Sequence, residues 1–359
     1  GAVTSNFNGA HLSCAASTDG EITITASGGT APLSYTLSGG TLGAPVTQNS
    51  GVFINLGAGT YHFSVTDVNS CLAAEGDVTI TAPAAITASG AVTSDFNGAH
   101  LTCAASTDGE ITITASGGTA PLSYTLSGGT LGAPVTQNGG LFTGLGAGTY
   151  HFSVTDVNNC AIAEGDVTII APDPITASGA VTSNFNGSQV SCAASTDGEI
   201  TITASGGTVP LSYTLSGGTL GAPLTQNGGL FTGLGAGSYH FVVTDANNCL
   251  AAEGDVTITA PAAITASGAV TSNFNGSQVS CAASTDGEIT VTASGGTAPL
   301  SYTLSGGTLG APVTQNSGVF INLGAGTYHF SVTDANSCPA AEGDVTITAP
   351  PAITASGAV

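Results

Sequence analysis

The sequence predicts an all-β protein: a tandem array of immunoglobulin-like β-sandwich domains, drawn out as an extended rod or filament. Three observations predict it. Apolar and polar residues alternate along short runs, turn residues separate those runs, and the whole pattern recurs four times. The run Cys-Ala-Ala-Ser-Thr-Asp-Gly-Glu begins at Cys14, Cys103, Cys192 and Cys281, a step of 89 residues. A second cysteine keeps the same step at Cys71, Cys160, Cys249 and Cys338. Repeats are therefore drawn at 1–89, 90–178, 179–267 and 268–356. Gly357 to Val359 repeats Gly1-Ala2-Val3, so a fifth repeat is expected to start there and the sequence to be a window on a longer array.

Within the first repeat, Ile22 and Ile24 alternate with threonines and read as a strand with one inward face. Leu33, Tyr35 and Leu37 do the same, as do Tyr61, Phe63 and Val65, and then Val78 and Ile80. Val52-Phe53-Ile54 is a further short strand, and Ala2-Val3-Thr4 and the segment near Leu12 are expected to add edge strands. Asp19-Gly20, Gly28-Gly29, Gly39-Gly40, Gly57-Ala58-Gly59 and Asp67-Val68-Asn69 supply the turns. About seven short strands separated by such turns make a two-sheet sandwich. A β-solenoid is the second choice, but its period is far shorter than this one. The joint, Thr81 to Ser89, contains Pro83 and reads as a short extended linker.

Composition narrows the function classes. The chain has 22 acidic residues and no lysine or arginine, yet only 6% of it is charged. Nucleic-acid binding needs basic side chains to neutralise phosphate, and anionic membrane surfaces attract the same residues. Neither partner is expected. No run approaches the roughly 20 apolar residues of a membrane helix, so direct membrane insertion is not expected either. No nucleophile elbow, His-Glu-x-x-His or phosphate loop occurs, so no catalytic or cofactor-binding residue is assigned and no enzyme is expected.

The cysteines carry the strongest chemical signal. With the two in each repeat 57 residues apart, the expected pairs are Cys14–Cys71, Cys103–Cys160, Cys192–Cys249 and Cys281–Cys338. Closing such a loop contributes about 4 kcal/mol in the chain-entropy picture. Bridges between repeats, such as Cys71 with Cys103, and free buried thiols are the alternatives. An isopeptide staple is excluded because there is no lysine. Disulfides imply an oxidising, extracellular setting.

Two metal readings stand beside simpler ones. His11 and Cys14 have zinc-like spacing and His62 stands as a third candidate, but Gln189 and Gln278 replace His11 in two repeats. No metal ligand is assigned, and His62 is read as lying on a solvated face. Asp19, Glu21, Asp67, Glu75 and Asp77 recur in every repeat with no protein cation to pair with. Calcium at Asp19, Glu21 and Asp67 is one reading and solvated turns the other. Asn186-Gly187-Ser188 and Asn275-Gly276-Ser277 match the short glycosylation acceptor pattern.

Several runs, in order, carry a resemblance: Cys14, Asp19-Gly20-Glu21-Ile22-Thr23-Ile24, Gly28-Gly29-Thr30-Ala31-Pro32, Leu56 to Tyr61, Val65 to Cys71, and Thr79 to Pro83. The unit resembles the SprB repeat of bacterial gliding-motility and cell-surface adhesins. That resemblance implies very large repetitive surface proteins exported by the type IX route, some of them adhesins moved along the cell surface. Ser70 and Asn159 stand where the family usually has glycine, and the Pro32-Leu33-Ser34-Tyr35 run carries an extra residue. The expected role is a structural stalk or filament whose partners are neighbouring repeats and, in a fibre, other copies. A self-assembling sheath or multi-stranded fibre is the alternative. A carbohydrate-binding module ranks third, since the chain has no tryptophan to stack on a glycan.

Overall fold

The computed structural model describes residues 1–160, 163–249 and 252–357. The fifth-repeat start assigned to Gly357 to Val359 therefore lies mostly outside the described residues. Among these residues every regular element is a strand. The first repeat has seven: β1 (Ala2–Val3), β2 (Gly20–Thr23), β3 (Ser34–Gly39), β4 (Val46–Gln48), β5 (Val52–Leu56), β6 (Gly59–Thr66) and β7 (Leu72–Ile80). They form two antiparallel sheets, ordered β1-β2-β5 and β4-β3-β6-β7. The fourth strand joins the sheet of β3 and β6, whereas in the constant-type immunoglobulin domain it joins the other sheet. The hairpin explains this: the Gly39-Gly40 turn returns the chain so that Leu37 faces Val46.

Alternation sets the core. Tyr61, Phe63 and Val65 point inward from β6 and meet Ile22, Leu37, Phe53, Leu56, Val78 and Ile80. Ile24 is also buried, just beyond the end of β2. The outward positions are filled by hydroxyls that pair across strands, such as Thr36 with Thr47 at 2.8 Å and Thr60 with Thr79 at 3.0 Å. Such pairs let the sheets meet water without lysine or arginine. The Tyr61 hydroxyl donates back to the Gly57 carbonyl at 2.8 Å, a tyrosine corner that pins the β5–β6 turn. Tyr150, Tyr239 and Tyr328 repeat it.

Two expectations are corrected. Leu12 lies in no strand; it is a fully buried plug set in the irregular β1–β2 connection. The joint is also shorter than expected. In the second repeat, β8 (Thr87–Val92) pairs along its whole length with β9 (Gly109–Ser116), from Thr87 opposite Ser116 to Val92 opposite Ile111. The boundary at 89/90 thus cuts a strand, and the second sandwich begins within the segment 81–89 expected as linker. Ile86 and Ala88 pack on the core of the second repeat, and Gly118 N donates to Ala84 O at 2.8 Å. The second repeat continues with β10 (Ser123–Gly128), β11 (Val135–Gln137), β12 (Leu141–Leu145), β13 (Gly148–Thr155) and β14 (Ala163–Ile169), in the same two sheets. Repeats three and four copy the arrangement over 176–258 and 265–347. The chain divides into two compact units, Gly1–Pro174 and Ile175–Val359, each holding two sandwiches.

Candidate functional site: the joint between repeats

The β1–β2 connection of one repeat meets the β13–β14 turn of the next. Strand direction dictates this meeting. Gly20, at the start of β2, pairs with Leu56 at the end of β5, beside the turn that opens β6. Cys14 precedes Gly20 and so sits at that end of the sandwich. Cys71 follows β6 and so sits at the opposite end. An eight-residue strand is about 26 Å long. A disulfide needs Cα atoms within about 7 Å. The expected pair Cys14–Cys71 is therefore geometrically excluded.

The structure pairs Cys14 with Cys160 instead, across 146 residues and a Cα separation of 5.3 Å. Cys192 pairs with Cys338 in the same way, again across 146 residues and at 5.5 Å. Each bridge links the first cysteine of one repeat to the second cysteine of the following one. The expected Cys103–Cys160, Cys192–Cys249 and Cys281–Cys338 pairs fail with the first, since Cys160, Cys192 and Cys338 are taken. Cys103 and Cys249 are also disulfide-bonded. Cys71 and Cys281, assigned to disulfides from the sequence, are exposed free thiols.

The turn that carries the second cysteine is built on an aspartate. Asp156 Oδ1 accepts from the backbone N–H of Asn158 and of Cys160, each at 3.0 Å, and Oδ2 accepts from Thr119 N at 2.8 Å. Asp67 does the same for Asn69, Cys71 and Thr30. The N–H of Cys71, then that of Thr30, holds the Asp67 carboxyl below the usual carboxylate range. At Asp334 burial opposes ionisation, but the N–H groups of Cys338, Thr297 and Asn336 outweigh it, and its pKa too is lowered. With the turn fixed, Asn158 reaches across the joint. Its Nδ2 donates to Ser13 O at 3.1 Å, and its Oδ1 accepts from Asn8 Nδ2 at 2.7 Å. Asn336 repeats this with Ser191 at 3.0 Å and Asn186 at 2.6 Å. The side-chain amide of Asn186, the acceptor of one glycosylation pattern, is thus engaged at a joint.

The other sequence-predicted residues do not converge. Asp19 accepts from the Ser13 backbone at 3.2 Å and from its hydroxyl, steadying the Cys14 loop. Glu21 accepts from Thr4 Oγ1 at 2.6 Å. Asp67 lies at the far end of the sandwich from both, so the three carboxylates share no calcium site. Among the described residues no group of three or more His, Cys, Asp or Glu is placed to hold a metal. His11 accepts from Thr81 N at 3.1 Å, and Gln189 Oε1 accepts from the equivalent Thr259 N at 2.6 Å. The His-to-Gln exchange thus preserves a hydrogen-bond acceptor. His62 lies on an exposed face, with Nδ1 2.8 Å from Asp77 and Nε2 3.9 Å from Glu75. At the equivalent His329 the hydrogen bond to Asp344 raises the imidazole pKa above its ordinary value.

A family model for the SprB repeat matches residues 11–42, 100–131, 184–220 and 273–309. Each match contains the first cysteine of its repeat. A search of curated proteins finds no match. Among solved structures, the three N-terminal domains of the bacteriophage RB49 highly immunogenic outer capsid protein are similar at 14% identity. That match covers 74% of this chain and 99% of that one, with a TM-score of 0.38. Domains 1–6 of the surface layer protein SbsC match at 14% identity, over 98% of this chain and 54% of that one, with a TM-score of 0.26. The BSP domain of a biofilm-associated protein matches at 8% identity, over 98% and 96%, with a TM-score of 0.25.

Proposed function

Because the chain belongs to the SprB-repeat family, we propose that it is the load-bearing stalk of a large secreted adhesin at the cell surface, serving attachment or gliding, with a structural rather than catalytic role. The observation that carries this reading is the offset disulfide. Tension along the chain enters at Cys14, crosses the bridge and leaves at Cys160, so the 146-residue span between them is held out of extension. The Cys192–Cys338 bridge shields a second span of 146 residues. An intradomain bridge would protect only its own loop and leave each joint to the backbone linker. The bridge and the asparagine clasp, Asn158 in the first unit and Asn336 in the second, tie the joint within each unit at two places besides the peptide chain.

Single-molecule pulling between the two ends tests this. Unfolding one 89-residue repeat releases roughly 300 Å of chain, from about 3.3–3.6 Å per residue. The oxidised chain should show no such steps. After reduction they should appear, one per repeat. Steps of that length in the oxidised chain would refute a load path through the disulfides.

A further inference from the structure

The joint within each unit holds a cleft beside its disulfide. In the second unit the wall includes Cys192, Ala194, Ile264, Gly296 and Cys338. In the first unit Cys14, Ala16, Ile86, Gly118 and Cys160 stand in the same places. The cleft volumes are about 370 Å3 and about 270 Å3, at the small end of the roughly 300–1,000 Å3 typical of small-molecule sites. Alanine, proline and isoleucine make most of each wall, and each contains one charged side chain, Asp334 or Asp156.

That aspartate is buried, 5% exposed at Asp334 and 3% at Asp156. The chain has no lysine or arginine to pair with it. Backbone N–H groups hold it instead. Asp334 Oδ1 accepts from Asn336 N and Cys338 N, each at 3.0 Å, and Oδ2 accepts one bond, from Thr297 N at 2.8 Å. Asp156 is held by the same three bonds. A carboxylate offers about four lone-pair sites, so Oδ2 keeps one to spare. Glycine keeps the space beside it clear. A Cβ on Gly296 would lie 3.1 Å from Asp334 Oδ2 and 2.9 Å from Ile264 Cγ1. A Cβ on Gly118 would lie 3.3 Å from Asp156 Oδ2 and 2.9 Å from Ile86 Cγ1. At Asp334 burial opposes ionisation and the N–H donors outweigh it, so the cleft wall is negative at neutral pH.

We propose that each cleft binds a small primary alkylammonium ion, its ammonium donating to the aspartate Oδ2 and its apolar stem lying along the isoleucine and alanines. A buried carboxylate attracts a cation more strongly than an exposed one, because less water screens the pair. The net charge of −22 raises the concentration of any cation near the surface. The apolar wall then selects among cations. A hydrated metal ion requires several oxygen ligands, and the wall supplies one carboxylate. A neutral alcohol of the same length fills the cleft but leaves the charge without a counter-ion. A ligand seated here touches both repeats of its unit.

Nuclear magnetic resonance of the full, oxidised chain tests this, with n-pentylammonium chloride as the probe and ionic strength held constant with sodium chloride. The amides of Gly118 and Gly296 are the reporters. They donate to Ala84 O and Ala262 O, each at 2.8 Å, and all four residues line the clefts. Both amide signals should shift and saturate. Equal concentrations of n-pentanol should move them roughly tenfold less, the factor for about 1.4 kcal/mol. A16L should abolish the shift at Gly118 and leave that at Gly296, and A194L should do the reverse, so each variant carries an intact cleft as its folding control. D156N and D334N should weaken the response in the same site-by-site way. An equal response to pentanol would overturn the cation. A Gly118 shift undiminished in A16L would overturn the cleft, and the absence of saturable shifts at both glycines would overturn the proposal outright. The load path through the disulfides stands or falls separately, on the pulling experiment.

Discussion

The ring of Tyr61 occupies the space that a side chain on Gly40 would need: a Cβ there would lie 2.2 Å from the ring's Cζ, and Gly40 has φ of +52°. The glycine therefore serves two purposes, turning the chain in the left-handed region and making room for the tyrosine corner. The same relationship joins Gly129 to Tyr150, Gly218 to Tyr239 and Gly307 to Tyr328. Changing these four glycines to alanine should cost about 1–3 kcal/mol per repeat, the range for overpacked sites. Changing the four tyrosines to phenylalanine should cost about 1 kcal/mol per repeat, since each buried acceptor at Gly57 and its equivalents loses its donor. Denaturant midpoints of the two quadruple variants check both, and an unchanged glycine variant would contradict the packing described here.

Stability should fall at both ends of the pH range, for different reasons. Asp67, Asp197, Asp286 and Asp334 have folded pKa values below the ordinary 3.8. Their contribution is present above that value and is lost as pH falls through the lowered folded values. His329 has a folded pKa above the ordinary 6.5, through its bond to Asp344. Its contribution is fully present below 6.5 and is lost as pH rises through the raised folded value. Melting temperature against pH should thus be highest between these limits. D334N should flatten the acid limb, and H329Q should remove part of the loss on the alkaline limb.

Paired sequence differences at the joint have a physical reading. Thr119 Oγ1 is buried without a partner, whereas the equivalent Thr297 Oγ1 is 3.0 Å from Ser188 Oγ across the joint of the second unit. Ala10 stands where Ser188 does. A10S should therefore stabilise the joint of the first unit by about 1 kcal/mol, the worth of one buried hydrogen bond. H11Q should be nearly neutral, since it keeps the acceptor for Thr81, while H11L should be destabilising. Amide hydrogen exchange at Thr81 and around Thr119 reads each change locally.

Much of this architecture was legible in the residues. Period-two runs located the inward faces of Ile22, Tyr61, Phe63 and Val65, because side-chain alternation is a local property. The joint was not legible in the same way. Thr87-Ala88-Ser89 carries no strong apolar alternation, and its strand exists because β9 offers an edge to pair with. Leu12 looked like strand because burial without periodicity has no local signature. The cysteine pairing failed for a different reason. Proximity along the sequence to β2 and β6 is not proximity in space, because strand direction decides which end of the sandwich each cysteine reaches. Cys14 lies in the first connection and Cys71 in the sixth, and in an antiparallel sandwich odd and even connections fall at opposite ends. This alternation follows from the strand order alone.

Disulfides tie the two repeats of each unit together, and peptide mapping without reduction tests this most directly. Trypsin has no site in a chain without lysine or arginine, so a glutamate-specific or acid protease is needed. Small sequence differences keep the peptides distinct: Leu-Ser precedes Cys14 but Leu-Thr precedes Cys103, and Asn-Ser precedes Cys71 but Asn-Asn precedes Cys160. The structure predicts Cys14 linked to Cys160 and Cys192 linked to Cys338, with Cys71 and Cys281 open to alkylation before any reduction. A peptide joining Cys14 to Cys71 would contradict it.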